Sequence, residues 1–107
     1  MSDSAQSQIE AQVNEHPIVL YMKGTPTFPM CGFSSKVVQA LRACDVDFHA
    51  VNVLEDDAIR QGIKTYSDWP TIPQLFIAGE FVGGCDIVTA LYQNGELEKL
   101  LAEARDG

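Results

Sequence analysis

The most continuous apolar run in the chain is Ile18-Val19-Leu20-Tyr21-Met22, with the length and composition of a strand buried on both faces. Ahead of it, Ile9 and Val13 stand four apart among polar residues. That spacing predicts an amphipathic helix closing near Asn14-Glu15-His16-Pro17, where the proline discourages continuation. From Gly32 to Ala43 the pattern changes to helical spacing, with Phe33, Val37, Val38, Leu41 and Cys44 recurring along one side. Residues 48–53 alternate roughly and predict a second strand. Residues 56–66, with Ile59 and Ile63 on one side, predict a helix opened by Glu55-Asp56-Asp57. After the proline-rich Trp69-Pro70-Thr71-Ile72-Pro73, two short apolar runs, 74–77 and 81–82, flank Ala78-Gly79-Glu80 and predict an antiparallel hairpin. A helical region from Ile87 to Tyr92, a break at Asn94-Gly95 and a last helix carrying Leu97, Leu100 and Leu101 complete the chain.

The predicted order is α-β-α-β-α-β-β-α-α. A strand–helix–strand unit implies a parallel pair in the core, to which the hairpin adds antiparallel edge strands. The 107 residues contain no repeats, low-complexity tracts or linkers and predict a single domain over 1–107.

The chemistry gathers where the first strand meets the second helix. Cys31-Gly32-Phe33-Ser34 places a thiol beside the free N–H groups and positive dipole end of a helix, which favours thiolate. A Cys-x-x-Cys loop would carry a second thiol to resolve a mixed disulfide; here that position is Ser34, whose hydroxyl does not ionise near neutral pH. One nucleophile or metal ligand without its neighbour points to metal or glutathione chemistry ahead of disulfide exchange. Lys23 ends the strand facing this loop, where it could stabilise a thiolate or a ligand carboxylate; the plain alternative is an ordinary surface lysine. Gly83-Gly84-Cys85-Asp86 precedes another helix. Its glycines permit close approach, the N–H groups of Cys85 and Asp86 suit a carboxylate, and the Asp86 side chain suits an ammonium. The plain alternative for Asp86 is helix capping. Arg60 and Lys64, at i and i+4, share a helix face. Cys44 reads as core, and His16 and His49 as isolated structural histidines. No Cys-x₅-Arg phosphatase loop exists, since Val37 stands six residues after Cys31.

Four segments in this order and spacing resemble the monothiol glutaredoxins of the CGFS type, over nearly all of the chain from residue 17 onward. They are Lys23-Gly24-Thr25-Pro26, Cys31-Gly32-Phe33-Ser34, Trp69-Pro70-Thr71-Ile72-Pro73-Gln74 and Gly79-Glu80-Phe81-Val82-Gly83-Gly84-Cys85-Asp86. The resemblance implies an α/β thioredoxin-like (glutaredoxin) fold, a four-stranded mixed sheet flanked by helices. An isolated Ile72–Pro73 bond is expected to be trans; the resemblance implies a cis bond facing Cys31, turning the Ile72 backbone towards the cysteinyl part of glutathione. It also implies glutathione contacts at Lys23, Arg60, Ile72, Cys85 and Asp86, with a basic residue at position 60 meeting the glycyl carboxylate. Ile87 departs from the family, which commonly carries another acid there.

Because a [2Fe–2S] cluster commonly takes four thiolates, the family solution implied here is two Cys31 sulfurs and two glutathione sulfurs in a cluster-bridged homodimer. That makes Cys31 the metal ligand and the protein an iron–sulfur cluster carrier or assembly factor. BolA-like proteins and recipient apo iron–sulfur proteins are the implied partners. The alternative is a glutathione-dependent thiol–disulfide oxidoreductase with Cys31 as catalytic nucleophile. The longer loop Thr25-Pro26-Thr27-Phe28-Pro29-Met30 disfavours it by resemblance. A redox-inert interaction module is a third reading, opposed by the two ligand-binding motifs.

Composition narrows this picture modestly. Apolar residues form 46% and charged residues 21% of the chain, as in a globular protein. A net charge of −8 argues against a nucleic-acid partner. Three cysteines do not form a disulfide framework, and no basic-then-apolar leader opens the sequence. The expected setting is reducing and cytoplasmic, or an organelle matrix if a transit peptide has been removed. No apolar run approaches a membrane span, so no membrane partner is expected.

Overall fold

The structure, a computed structural model, describes the backbone of residues 2–106 and the side chains of residues 4–104. Its elements are α1 (Ser2–Glu15), β1 (Ile18–Met22), α2 (Gly32–Ala43), β2 (His49–Asn52), a short 3₁₀ turn (Val53–Glu55), α3 (Asp57–Ser67), β3 (Gln74–Ile77), β4 (Glu80–Gly83), α4 (Cys85–Gln93) and α5 (Glu96–Asp106). The sheet runs β2-β1-β3-β4. β1 pairs in parallel with β2 and antiparallel with β3, and β3 pairs antiparallel with β4. This is the mixed four-stranded sheet of the thioredoxin-like fold.

Helices cover both faces, which is why β1 has no polar alternation. Ile18, Leu20 and Met22 pack with Leu75 and Ile77 against α2, α4 and α5. Val19 and Tyr21 pack with Phe76 against α1 and α3. Burying each such side chain contributes roughly 1.5–3 kcal/mol, so this strand anchors the loop that follows it.

Several boundaries differ from the pattern-based expectation. The second strand covers only His49–Asn52; Val53 leaves the ladder to bury its side chain beside α1 and α3. Only β4 is an edge strand of the hairpin. β3 lies inside the sheet, and all four of its residues are buried. The hairpin closes on Ala78 and Gly79, both at positive φ (54° and 80°), as a two-residue turn matching strand twist requires. Register shifts between Phe76↔Phe81 and Leu75↔Gly83. This bulge delivers Gly83 and Gly84 to α4, which starts at Cys85, two residues ahead of the predicted helical region. Among the described residues, no helix is long and apolar enough to cross a membrane.

Candidate functional site

The chain leaves β1 at Lys23 and doubles back before reaching Cys31. The Met30 N–H donates to the Lys23 carbonyl at 2.9 Å, and Thr25 and Phe28 exchange backbone bonds at 3.2 and 3.0 Å. Gly24, at φ 92°, makes the reversal possible. A Cβ there would stand 2.5 Å from the Phe28 carbonyl oxygen and 2.6 Å from the Met30 nitrogen. Its N–H donates to Asn52 Oδ1 at 2.9 Å, and the same oxygen accepts from Leu54 N–H at 3.0 Å. Asn52 thus fastens the loop to the end of β2. The loop leaves Phe28 75% and Met30 65% exposed, an apolar rim beside the cysteine.

Cys31 is the N-cap residue of α2, in extended conformation, and its side chain makes no capping bond. The backbone N–H of Ser34 holds its thiol below the ordinary pKa; desolvation opposes this, while the Phe33 N–H, the Lys23 charge and the Ser34 hydroxyl add to it. These free N–H groups at a helix start favour thiolate. Ser34 is fully buried, and its Oγ accepts from Lys23 N–H at 3.1 Å.

Beside Cys31 opens a cleft of about 500 Å³. One wall is the segment Trp69–Pro73, with a cis Ile72–Pro73 bond. The N–H and C=O of Ile72 have no hydrogen-bond partner among the described residues, so they remain available to an extended ligand. Gly84–Ile87, at the start of α4, also line the cleft. Gly84 is the N-cap and supplies no side-chain cap, leaving the first-turn N–H groups open. Its bare Cα fits closely: a Cβ would stand 3.3 Å from both the Pro73 carbonyl oxygen and Trp69 Nε1. Because Gly84 is the cap, Asp86 is not. Its exposed carboxylate adds one negative charge to a lining that otherwise carries Lys23 and Lys64.

Of the residues singled out by sequence, the structure gathers Lys23, Cys31, Ile72, Cys85 and Asp86 around this cleft. Arg60 does not line it; Lys64, one turn further along α3, does. The Arg60 Nε is buried without a partner. The Cys85 sulfur lies 3.9 Å from Thr89 Oγ1 on its own helix. Cys44 packs at the edge of the core, where burial, then the Glu98 charge, pushes its thiol up. His16 and His49 are not isolated from each other. Their rings stack at 4.0 Å, 10° from parallel, between the end of α1 and the start of β2. Sequence reasoning also missed Asn52 and Gln74, whose signals were only polar residues at a strand's end and beginning. Among the described residues, no cluster of three or more His, Cys, Asp or Glu is placed to hold a metal ion.

A thioredoxin-like sheet with a cysteine of lowered pKa at a helix start and a cis-proline lining the same cleft defines the thioredoxin-like class of thiol proteins. Residues 18–82 match the model of the glutaredoxin family, and the chain belongs to that family. Its similarity is to monothiol members. It is 50% identical over 104 residues to the chloroplastic monothiol glutaredoxin-S7 of Oryza sativa subsp. japonica, covering 97% of this chain but 62% of that protein's length. It is 52% identical over 96 residues to glutaredoxin 4 of Escherichia coli, covering 90% of this chain and 84% of that one. The reduced apo form of poplar GrxS14 superposes with a TM-score of 0.84 at 48% identity, over 95% of this chain and 94% of that one. A buckwheat glutaredoxin in complex with glutathione superposes at 0.86 with 25% identity, over 96% and 92% of the two chains.

Proposed function

We propose that this protein binds glutathione in the cleft and carries a [2Fe–2S] cluster between two copies of the chain. The cluster is cargo, held by two Cys31 sulfurs and two glutathione sulfurs. The observation that carries the reading is Cys31 itself, a thiol biased towards thiolate at the mouth of a ligand-sized cleft, with a buried serine where a resolving thiol would stand. Glutathione matches the lining group by group. The N–H groups of Cys85 and Asp86 suit the γ-glutamyl carboxylate and the Asp86 carboxylate its ammonium. The open backbone of Ile72 suits the cysteinyl unit, and Lys23 and Lys64 suit the glycyl carboxylate. The glutathione complex of the buckwheat relative supports this ligand.

Four thiolates satisfy such a cluster, and one chain with one glutathione supplies two. A second copy supplies the remainder, and the exposed Phe28, Met30 and Phe33 beside Cys31 offer apolar cover for the shared site. A cluster held partly by an exchangeable tripeptide suits transfer to recipient apo-proteins. A BolA-like protein in place of one copy is the corresponding mixed assembly. The thiol state of Cys31 requires a reducing compartment, cytoplasmic or organellar.

Reconstitution of Cys31→Ser and Cys85→Ser variants tests the assignment. Cys31→Ser should fold and stay colourless, whereas Cys85→Ser should retain iron, since Cys85 acts through its backbone. An iron-bearing, coloured Cys31→Ser protein would overturn it.

The lowered pKa of Cys31 favours a second reading, thiol exchange. The Cys31 thiolate attacks the glutathione sulfur of a glutathionylated protein, forming a Cys31–glutathione disulfide and expelling the protein thiolate. A second glutathione thiolate then forms oxidised glutathione and returns Cys31 as thiolate. Ser34 is no obstacle to this sequence. Steady-state turnover of a glutathionylated peptide by metal-free protein distinguishes the readings.

A further inference from the structure

Gln74 is the first residue of β3, and its side chain is completely buried (0% exposed). Strand alternation puts it with Tyr21 and Phe76 on the face turned towards α1 and α3. Both donors of its single amide NH₂ go to one loop: Nε2 lies 3.0 Å from the Trp69 carbonyl oxygen and 3.0 Å from that of Thr71. Its own Oε1 is buried without a partner.

Ile72 is buried in the core and Trp69 packs on Phe81, but few other hydrogen bonds fix the loop's backbone. Pro70 and Pro73 have no N–H, and the N–H groups of Thr71 and Ile72 find no acceptor among the described residues. Only its start is tied to α3, where Trp69 N–H is shared between the Lys64 carbonyl and Ser67 Oγ, each at 3.2 Å. An apolar side chain at 74 would occupy the same space without an unsatisfied oxygen, which fully buried polar groups normally avoid. Packing therefore does not account for glutamine there; the two carbonyls do.

We propose that Gln74 is a positioning residue for the ligand cleft: its amide clamps the Trp69 and Thr71 carbonyls and so fixes where Ile72 presents its free N–H and C=O. The proposal rests on the cleft being a glutathione site, as read above. It acts at a distance from Cys31, whose thiolate is stabilised by the start of α2, a different element.

Gln74→Met and Gln74→Glu in the full chain test this. Methionine removes the donors at similar volume, and glutamate keeps the shape while leaving at most one donor, the proton of a neutral carboxyl, for the two carbonyls. Trp69, the single tryptophan, reports the loop through iodide quenching of its fluorescence. In both variants quenching should rise and the glutathione Kd should increase about tenfold, the equilibrium weight of one ligand hydrogen bond. The rate of Cys31 alkylation by iodoacetamide should stay within about twofold, because its pKa has other sources. Unchanged quenching and affinity, or alkylation lost in parallel with affinity, would overturn the proposal.

The unsubstituted chain supplies a check independent of variant folding. The Gln74 side-chain amide protons should exchange with solvent far more slowly than those of the exposed Gln61, and equal rates would refute the clamp. If the unsubstituted protein binds no glutathione, the functional reading fails. Trp69 quenching and amide exchange still decide whether Gln74 holds the loop.

Discussion

Ser34 Oγ accepts a hydrogen bond from the backbone N–H of Lys23 at 3.1 Å, joining the first turn of α2 to the end of β1. The serine is therefore a buried bracket holding the helix that starts at Cys31 against the central strand, as well as the position where a Cys-x-x-Cys loop would carry its second thiol. Ser34→Ala leaves the Lys23 N–H without this acceptor. It should lower unfolding free energy by about 1–3 kcal/mol and raise the Cys31 pKa, since the Ser34 hydroxyl is among the groups lowering it. Urea denaturation and pH-dependent alkylation measure the two effects; an unchanged urea midpoint would count against the bracket.

Thiolate formation at Cys31 should depend more on backbone than on charge. The Ser34 N–H is the largest cause of the lowered pKa, and the Lys23 charge is a smaller one. The alkylation rate should therefore reach half-maximum below the ordinary thiol pKa of about 8.5. Lys23→Met should move that midpoint upward without restoring the ordinary value. Full restoration would make the lysine dominant.

Gly24→Ala should disturb the apolar rim. The substitution combines positive φ with contacts of 2.5 and 2.6 Å to Phe28 and Met30 backbone atoms. The expected destabilisation is about 1–3 kcal/mol, with faster loss of cluster colour in air. A variant as stable and as long-coloured as the parent would separate this loop from the site.

Lys64 and Arg60 should behave differently towards glutathione, because only Lys64 lines the cleft. Calorimetry should show Lys64→Met weakening binding about fivefold, as expected for one partly screened charge contact. Arg60→Met should leave binding within about twofold. The reverse ranking would restore Arg60 as the carboxylate partner.

The His16–His49 stack should make stability pH-dependent. Burial, then the nearby His16, lowers the His49 pKa, while Glu15 opposes. A histidine depressed in the folded state takes up its proton more readily when unfolded. Its contribution is present above the unfolded pKa of about 6.5 and is lost as pH falls through the folded value. The urea midpoint should fall between pH 7.5 and 5.5, and His49→Phe should flatten that dependence. A slope unaltered by the substitution would place its origin elsewhere.

The elements whose patterns follow from burial were legible in the chain. Five apolar residues announced β1 because both of its faces are covered, and the stripes of α2 and α3 followed from one covered face each. That Cys31, Ile72, Cys85 and Asp86 line one cleft was legible because each sits on a local feature: a helix start, a proline, a glycine pair. What escaped depended on separations along the chain. The Gln74 amide reaches back to Trp69 and Thr71, Asn52 crosses to Gly24, and His16 meets His49 only once β2 lies beside β1. Which of Arg60 and Lys64 lines the cleft depends on the rotation of α3 about its axis, which i, i+4 spacing leaves open. The interior place of β3 was hidden because its brief apolar run reads alike for an edge or a central strand.

The most direct test of a shared, glutathione-held cluster is anaerobic reconstitution with iron and sulfide, with and without glutathione, followed by visible absorption, metal and sulfide content, and solution mass. The account predicts charge-transfer bands only with glutathione, one [2Fe–2S] cluster per two chains, and a shift from monomer to dimer. A colourless monomer under both conditions would contradict it and leave Cys31 as a nucleophile for thiol exchange.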